Sequence, residues 1–162
     1  MILVLSGEGK TDLGELVFGT GEFKAGAMYM IIDKIIETKY KYSPYYTSKD
    51  NIKYISKDEL SKKAKSLKPI KLPGVDGKKE TAYFFRNARA LATISKEYEN
   101  SIAILFRDSD GTNSSTNSEW QDKYDSILKG FESANFKQGI AMLPKPKSEA
   151  WLICALKNKY QN

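Results

Sequence analysis

At 162 residues, with 41% of them hydrophobic and 28% charged, the chain has the size and composition of one globular domain. One cysteine and no histidine exclude a disulfide framework, histidine-ligated zinc and histidine general bases, which leaves carboxylates, lysines and hydroxyls for any chemistry. The formal net charge of +6 is typical of proteins that bind nucleic acid, although a general enrichment in lysine explains it equally well.

The first predicted element is a strand at residues 2–5, where consecutive apolar side chains indicate burial on both faces, as in a parallel sheet. No basic stretch precedes this run and it has only the length of a strand, so it does not predict a signal peptide. No run approaches the roughly 18 apolar residues of a membrane span. Since the lone Cys154 also suits a reducing compartment, a cytoplasmic protein without a membrane partner is expected.

The next part of the chain is less regular. Glycines at positions 14, 19 and 21 predict a loop or a short helix over residues 12–24, and apolar residues at helical spacing predict a helix over about 25–38. Residues 40–78 are rich in Lys, Tyr, Ser, Pro and Gly, and are predicted to form a variable excursion that contains at most one short strand, at 52–55.

The second half of the chain alternates between helices and strands. The predicted elements are a helix over about 79–97, a strand at 102–106, a helix over about 119–132, a strand at 139–143 and a helix at 148–157. This alternation predicts an α/β fold with a mainly parallel central sheet flanked by helices, in a single domain. In such sheets the ligand site lies beyond the carboxyl ends of the strands, so functional residues are expected in the loops that follow them.

The loop after the first strand, SGEGKTD, contains Gly-Lys-Thr, as at the end of a phosphate-binding P-loop. A P-loop also needs a glycine five positions before its second glycine, where this chain has Val4 inside the strand. Glu8 would in addition repel a phosphate. The loop is therefore predicted to bind a cation instead, because Glu8 and Asp12 would lie on one side of a helical turn.

Acidic residues follow the later strands as well. Asp108 and Asp110 come directly after the strand at 102–106, and Glu149 follows the next strand. Gathering these carboxylates is costly without a counter-charge, and Mg²⁺ or Mn²⁺ prefers oxygen ligands of this kind. The alternative for Asp108 and Asp110 is a solvated turn, which Asp-Ser-Asp-Gly also favours. With Glu8 on a second strand, a metal site is the preferred interpretation.

Together these motifs resemble a Toprim domain, in which a strand leads to a glutamate in a glycine-rich loop and a later strand ends in D-x-D. They are most similar to the small Toprim nucleases related to the OLD (overcoming lysogenization defect) family, whose E-G-x-x-D motif is matched by EGKTD at residues 8–12. The segment 144–152, PKPKSEAWL, is similar to one in uncharacterised Toprim-like proteins. The resemblance covers most of the chain except about residues 40–78.

The resemblance implies a Mg²⁺- or Mn²⁺-dependent nuclease that acts on DNA or RNA in anti-phage defence, with an ABC- or OLD-type ATPase as a partner. The implied metal ligands are the acidic residues of the motifs: Glu8, Asp12, Asp108, Asp110 and Glu149. The implied catalytic residues are Glu8, Asp108 and Asp110, with Lys145 and Lys147 as the candidates for stabilising charge on the scissile phosphate. The implied substrate contacts are Lys10 and Arg107.

The sequence departs from the family pattern in two places. Ser6 and Gly7 precede Glu8, where the family often has a hydrophobic residue. The sequence also stops about a dozen residues after Glu149, where a complete Toprim sheet would have another strand. The resemblance therefore implies either a C-terminally truncated fragment or a domain that a partner completes.

Two other functions compete with nuclease activity. Residues 104–112 also resemble the first motif of haloacid-dehalogenase-like phosphatases, in which Asp108 would be the nucleophile and Asp110 the general acid. That family needs more chain than the 50 residues that follow Thr112, and it leaves Glu8 without a role. The third possibility is a Toprim-like subunit that binds nucleic acid or an ATPase through its basic surface and does not cleave.

Overall fold

A computed structural model describes residues 1–70, 79–109 and 117–145, together with Leu152. The strands are β1 (Ile2–Ser6), β2 (Gly14–Leu16), β3 (Phe23–Ala25), β4 (Ile52–Tyr54), β5 (Ser101–Phe106) and β6 (Gly139–Met142). The α-helices are α1 (Ala27–Tyr40), α2 (Pro44–Thr47), α3 (Lys57–Ser66), α4 (Lys79–Ser95) and α5 (Asn117–Ser133), and a short 3-10 helix spans Lys49–Asn51. None of the helices in these described ranges is long and apolar enough to cross a membrane.

In the described residues, the central sheet has four parallel strands in the order β4-β1-β5-β6. The chain leaves β1 for β4 on one side and then returns to β5 on the other side, so the direction of strand addition reverses between β1 and β5. In open parallel sheets, ligands bind beyond the carboxyl ends of the strands at such a reversal. The predicted α/β fold with a parallel sheet flanked by helices is confirmed.

Alternate side chains of the two central strands pack into separate cores on the two faces of the sheet. Leu3 and Leu5 of β1, with Phe106 of β5, pack against α1 and the β2–β3 hairpin. Val4 of β1 and Leu105 of β5 pack against α3, α4 and α5. All five side chains are almost completely buried, and burying each such apolar side chain stabilises the fold by about 2 kcal/mol. The continuous apolar runs at these strands therefore reflect a sheet covered on both faces.

Residues 14–25 form a β-hairpin, so the predicted loop or short helix over 12–24 is wrong. β2 pairs with β3 in antiparallel register, from Gly14 opposite Ala25 to Leu16 opposite Phe23. Two of the glycines that argue against a long helix form the turn of this hairpin. Gly19 and Gly21 adopt positive φ angles of 87° and 67°, which glycine tolerates better than other residues. Each strand has only three residues, which is too short for an alternating pattern to be visible in the sequence.

The described part of the predicted excursion at 40–78 belongs to the sheet and its helical layer. β4 forms an edge of the described sheet, and the predicted short strand at 52–55 is present at Ile52–Tyr54. α3 packs on α4 through Leu60, its one buried residue, while its lysines face solvent. The lysine-rich composition therefore reflects an exposed helix face rather than an irregular segment. The predicted helix at 148–157 lies outside the described residues, except for Leu152.

Candidate functional site at the carboxyl ends of the strands

The loops that follow β1 and β5 meet at the reversal point of the sheet. The carboxylate oxygen Oε2 of Glu8 accepts a hydrogen bond from the backbone N–H of Asp108 at 3.0 Å, across 100 residues of sequence. Glu8 is partly exposed and Asp108 is partly buried, so the contact lies at the rim of the sheet rather than in its core. The structure thus brings together the acidic residues that open the two predicted motifs.

A lysine from a third strand end also reaches Glu8. Lys57, the first residue of α3, places its Nζ 3.5 Å from Glu8 Oε1. Sequence reasoning missed Lys57 because it lies in the predicted excursion. A usable signal was present, since Ser56 and Glu59 form an S-x-x-E helix start directly after the predicted short strand. The Ser56 side chain accepts from the Glu59 N–H at 3.2 Å, as that pattern indicates.

Asp12 shapes the loop that carries Glu8. Its Oδ2 accepts from the Gly9 N–H at 3.0 Å, and its own N–H donates to the Gly9 carbonyl at 3.3 Å, which closes a tight turn. Its carbonyl oxygen accepts from the N–H of Met28 at 3.0 Å in the first turn of α1. Lys10, at the tip of this turn, is largely exposed and pairs with Glu15 at 3.1 Å.

Arg107 is completely buried between the ends of β1 and β5. Its guanidinium donates to the carbonyl oxygens of Ser6 at 3.2 Å and of Phe106 at 2.6 Å, so it joins the two strands directly below the Glu8–Asp108 contact. Burial lowers the pKa of Arg107, while Tyr83 and the Glu8 carboxylate oppose that change. An arginine remains charged at neutral pH even so, and the site therefore has a fixed positive charge beneath it.

The loop after β5 is held from two further sides. The Ser109 hydroxyl donates to the Pro144 carbonyl at 2.7 Å, beyond the end of β6, and the Lys123 ammonium donates to the Ser109 carbonyl at 3.2 Å. Lys123 is only 5% exposed. Sequence reasoning missed Lys123, although it lies four residues before Ile127 and so shares the apolar face of α5, where a lysine is unusual.

The predicted basic residues after β6 are only partly described. The Lys145 ammonium lies over the ring of Trp120 on α5, with its Nζ 5.5 Å from the ring centroid. The Trp120 indole N–H also donates a hydrogen bond to the Leu143 carbonyl at 3.2 Å. This arrangement holds the segment after β6 against α5, on the side of the sheet that carries Lys123. The remaining predicted site residues, Asp110, Lys147 and Glu149, lie outside the described residues.

The residues at this rim fit a hard divalent cation by the chemistry of their donors. Carboxylate oxygens are the ligands that Mg²⁺ and Mn²⁺ prefer, and Glu8 and Asp108 are carboxylate residues of the loops that follow two adjacent strands, joined through the Asp108 backbone N–H. The pair between Glu8 and Lys57 shows that a positive group already approaches the Glu8 carboxylate. Within residues 1–70, 79–109 and 117–145, no group of three or more acidic, histidine or cysteine side chains could hold a metal ion. Asp110 and Glu149 are not among those residues.

Comparisons of the chain with protein-family models, with curated proteins and with solved structures found no match. The likeness to Toprim and OLD-like nucleases therefore rests on the sequence motifs alone.

Proposed function

We propose that this protein is a Mg²⁺- or Mn²⁺-dependent nuclease that hydrolyses phosphodiester bonds in DNA or RNA. The observation that carries the proposal is the 3.0 Å contact between Glu8 and the Asp108 backbone at the reversal point of the sheet. This contact brings two carboxylate-bearing loops to the place where open parallel sheets bind their ligands. The four-stranded parallel sheet is compatible with a Toprim-type layout, which other α/β domains share.

The cation would be held by Glu8 and Asp108, and Asp12, Asp110 and Glu149 are proposed as additional ligands. When bound, Mg²⁺ or Mn²⁺ supplies Lewis acidity, which lowers the pKa of water and reduces the negative charge on a phosphate. The role of Arg107 is to keep the two strand ends in place, since its buried guanidinium joins their carbonyl oxygens. Ser109 holds the second acidic loop to the segment after β6.

In the proposed reaction a water oxygen forms a bond to phosphorus, and the bond from phosphorus to the leaving oxygen breaks. The attacking water loses one proton and the leaving oxygen takes up one, so the products are a phosphomonoester and a free hydroxyl group. Lys145 and Lys10 lie on loops at this edge of the sheet, and with Lys147 they would provide positive charge toward the phosphate. Such charge-stabilising contacts usually contribute the largest part of catalysis in reactions of this class.

The charge of the chain favours a nucleic-acid substrate over a small phosphate ester. The sequence contains 26 lysines and arginines against 20 acidic residues. A positive surface attracts a polyanion over distances of about 8 Å at physiological salt, and a single small ester gains much less from it. The motif resemblance extends the proposal to a cytoplasmic role in anti-phage defence with an ATPase partner.

The proposal is tested by incubating the purified protein with plasmid DNA and with total RNA, in Mg²⁺ or Mn²⁺ and in EDTA. We expect cleavage that EDTA abolishes and that Glu8→Gln and Asp108→Ala each reduce by about 100-fold or more. Glu8→Gln retains an oxygen that accepts from the Asp108 N–H, so its defect would be due to charge. Glu99→Ala is the matched control, because Glu99 is exposed and lies just before β5, at the amino ends of the strands and away from the proposed site.

Other outcomes separate the competing functions. Hydrolysis of p-nitrophenyl phosphate with intact plasmid DNA and RNA would refute the nuclease and support the phosphatase that uses Asp108. Binding of nucleic acid without cleavage, unchanged by EDTA and by both substitutions, would refute catalysis and support a binding subunit.

A further inference from the structure

The two carboxylate oxygens of Glu8 have partners of different kinds. Oε2 accepts from the Asp108 N–H at 3.0 Å, and Oε1 lies 3.5 Å from the Lys57 ammonium. The first partner is a backbone group two residues beyond the end of β5, so its position is set by the strand. The second is the end of a long flexible side chain. The Glu8 carboxylate is therefore oriented by one contact and neutralised by the other.

The base of the Lys57 side chain is fixed, while its charged end is not. The Ile55 N–H donates to the Leu5 carbonyl at 2.7 Å, which continues the pairing of β4 with β1 up to the start of α3. Ser56 caps α3 and so sets where Lys57 begins. The Lys57 side chain is 54% exposed and its pair with Glu8 is long, so this contact contributes little to stability and exchanges easily.

We propose that Lys57 is the counter-cation of Glu8 before a divalent cation binds, and a contact for the substrate phosphate afterwards. The proposal rests on the function proposed above. Lys57 must leave Oε1 when the site takes up a divalent cation, because the two cations compete for the same oxygen and repel each other. Its backbone stays at the rim of the sheet, so the displaced ammonium remains close to the site. The scissile phosphate is the anion that such a site brings within its reach.

The surroundings of α3 assign this role to the lysine side chain rather than to the helix terminus. Asp58 and Glu59 occupy the first turn of α3, and their negative charge already compensates the positive end of the helix dipole. They would also repel a phosphate placed at the terminus. Lys57 is the basic residue of that turn and the one that contacts Glu8.

The test measures metal affinity and catalysis separately. Isothermal titration with MnCl₂, without nucleic acid, compares the wild type with Lys57→Gln, Lys57→Arg and Lys62→Gln. Lys62 is the matched control because it is an exposed lysine of the same helix. We expect Lys57→Gln to bind Mn²⁺ about two- to fivefold more tightly, since it removes a competitor worth up to about 1 kcal/mol. Lys57→Arg and Lys62→Gln should bind as the wild type does.

Catalysis should change in the opposite direction. At saturating Mn²⁺ we expect Lys57→Gln to lower kcat/KM for plasmid DNA or RNA by about tenfold or more, with partial recovery in Lys57→Arg. A residue that only stabilised the fold would not combine tighter metal binding with slower cleavage.

The outcomes also distinguish this inference from the function on which it rests. No Mn²⁺ binding by the wild type would overturn both. Mn²⁺ binding that Asp108→Ala abolishes, with unchanged or weaker affinity in Lys57→Gln, would overturn the role of Lys57 alone. Unchanged kcat/KM in Lys57→Gln would likewise refute the phosphate contact while leaving the metal site intact.

Discussion

Replacing Gly26 by alanine tests how the loop that carries Glu8 is held against α1. Gly26 is the N-cap of α1, with φ −91° and ψ 172°, a conformation that any residue adopts. A Cβ at this position would meet the Asp12 carbonyl group, with its carbon 2.7 Å away, and would lie 2.8 Å from the Gly14 nitrogen. These are backbone atoms, so a side-chain rotation cannot relieve the overlap. Alanine therefore has to push the turn at Asp12 away from the helix.

Gly26→Ala should lower the free energy of unfolding through overpacking alone, because alanine adopts the φ of Gly26 without strain. Overpacking typically destabilises proteins by about 1–3 kcal/mol, and the rigid neighbours of Gly26 place it near about 3 kcal/mol. That is a large part of the roughly 5–15 kcal/mol by which domains are stable. For a chain of this length it corresponds to a fall in Tm of about 6–12 °C.

Urea unfolding followed by circular dichroism measures the effect. Gly19→Ala provides the contrast, because a Cβ there meets nothing within 4 Å but the residue has a φ of +87°. Gly19→Ala should therefore lower the free energy of unfolding only through its unfavourable φ, by about 1 kcal/mol. A Gly26→Ala variant within about 0.5 kcal/mol of the wild type would refute the close packing of this loop on α1.

Two further predictions concern the buried polar groups of α1. Asp33 accepts hydrogen bonds from the Ser43 hydroxyl at 2.6 Å and from the Tyr45 N–H at 3.0 Å. Asp33→Ala should lower the free energy of unfolding by about 2–4 kcal/mol, because both donors lose their partner. A loss under about 1 kcal/mol in urea unfolding would contradict this. Burial, together with the Asp33 carboxylate, raises the pKa of Tyr29. The neutral Tyr29 side chain therefore makes its full contribution to stability below about pH 10. That contribution is lost as the pH rises toward the folded-state pKa, because the unfolded chain loses the Tyr29 proton first. Tyr29→Phe should match the wild type at pH 7 and lose less stability at pH 10.5; equal losses in urea at pH 10.5 would refute the assignment.

The central strands and the long helices are predictable from the sequence because each has a clear apolar pattern. The predicted runs 2–5 and 102–106 are apolar at every position, and the structure extends each strand by one serine, Ser6 in β1 and Ser101 in β5. Helices α4 and α5 begin and end within two residues of their predicted bounds. The proximity of Glu8 to Asp108 follows from the same patterns, because two parallel strands place their carboxyl ends at one edge of a sheet.

The parts that sequence reasoning missed depend on contacts between distant segments. β4 has three residues, and only its pairing with β1 makes it part of the sheet. The contact of Lys57 with Glu8 depends on that pairing, so a composition rich in lysine hides it. Lys123 shares the apolar face of α5 while Lys129 is exposed, but what the buried ammonium contacts is visible only in the structure. The neighbours of a side chain belong to the tertiary structure, and no local pattern encodes them.

The span of chain that separates Glu8 from Asp108 has a consequence for when the proposed site can form. A nascent chain emerging from the ribosome exposes Glu8 long before it has synthesised β5, and until then β4 can pair with β1 but the Asp108 backbone is not there to hold the glutamate. Contacts of such long range close late in folding, because the intervening loop must first lose its entropy. Under the proposed nuclease function, partly made or partly unfolded molecules would therefore be harmless to the nucleic acids around them, because the site would form only once the chain is complete through β5, the third parallel strand along the sequence.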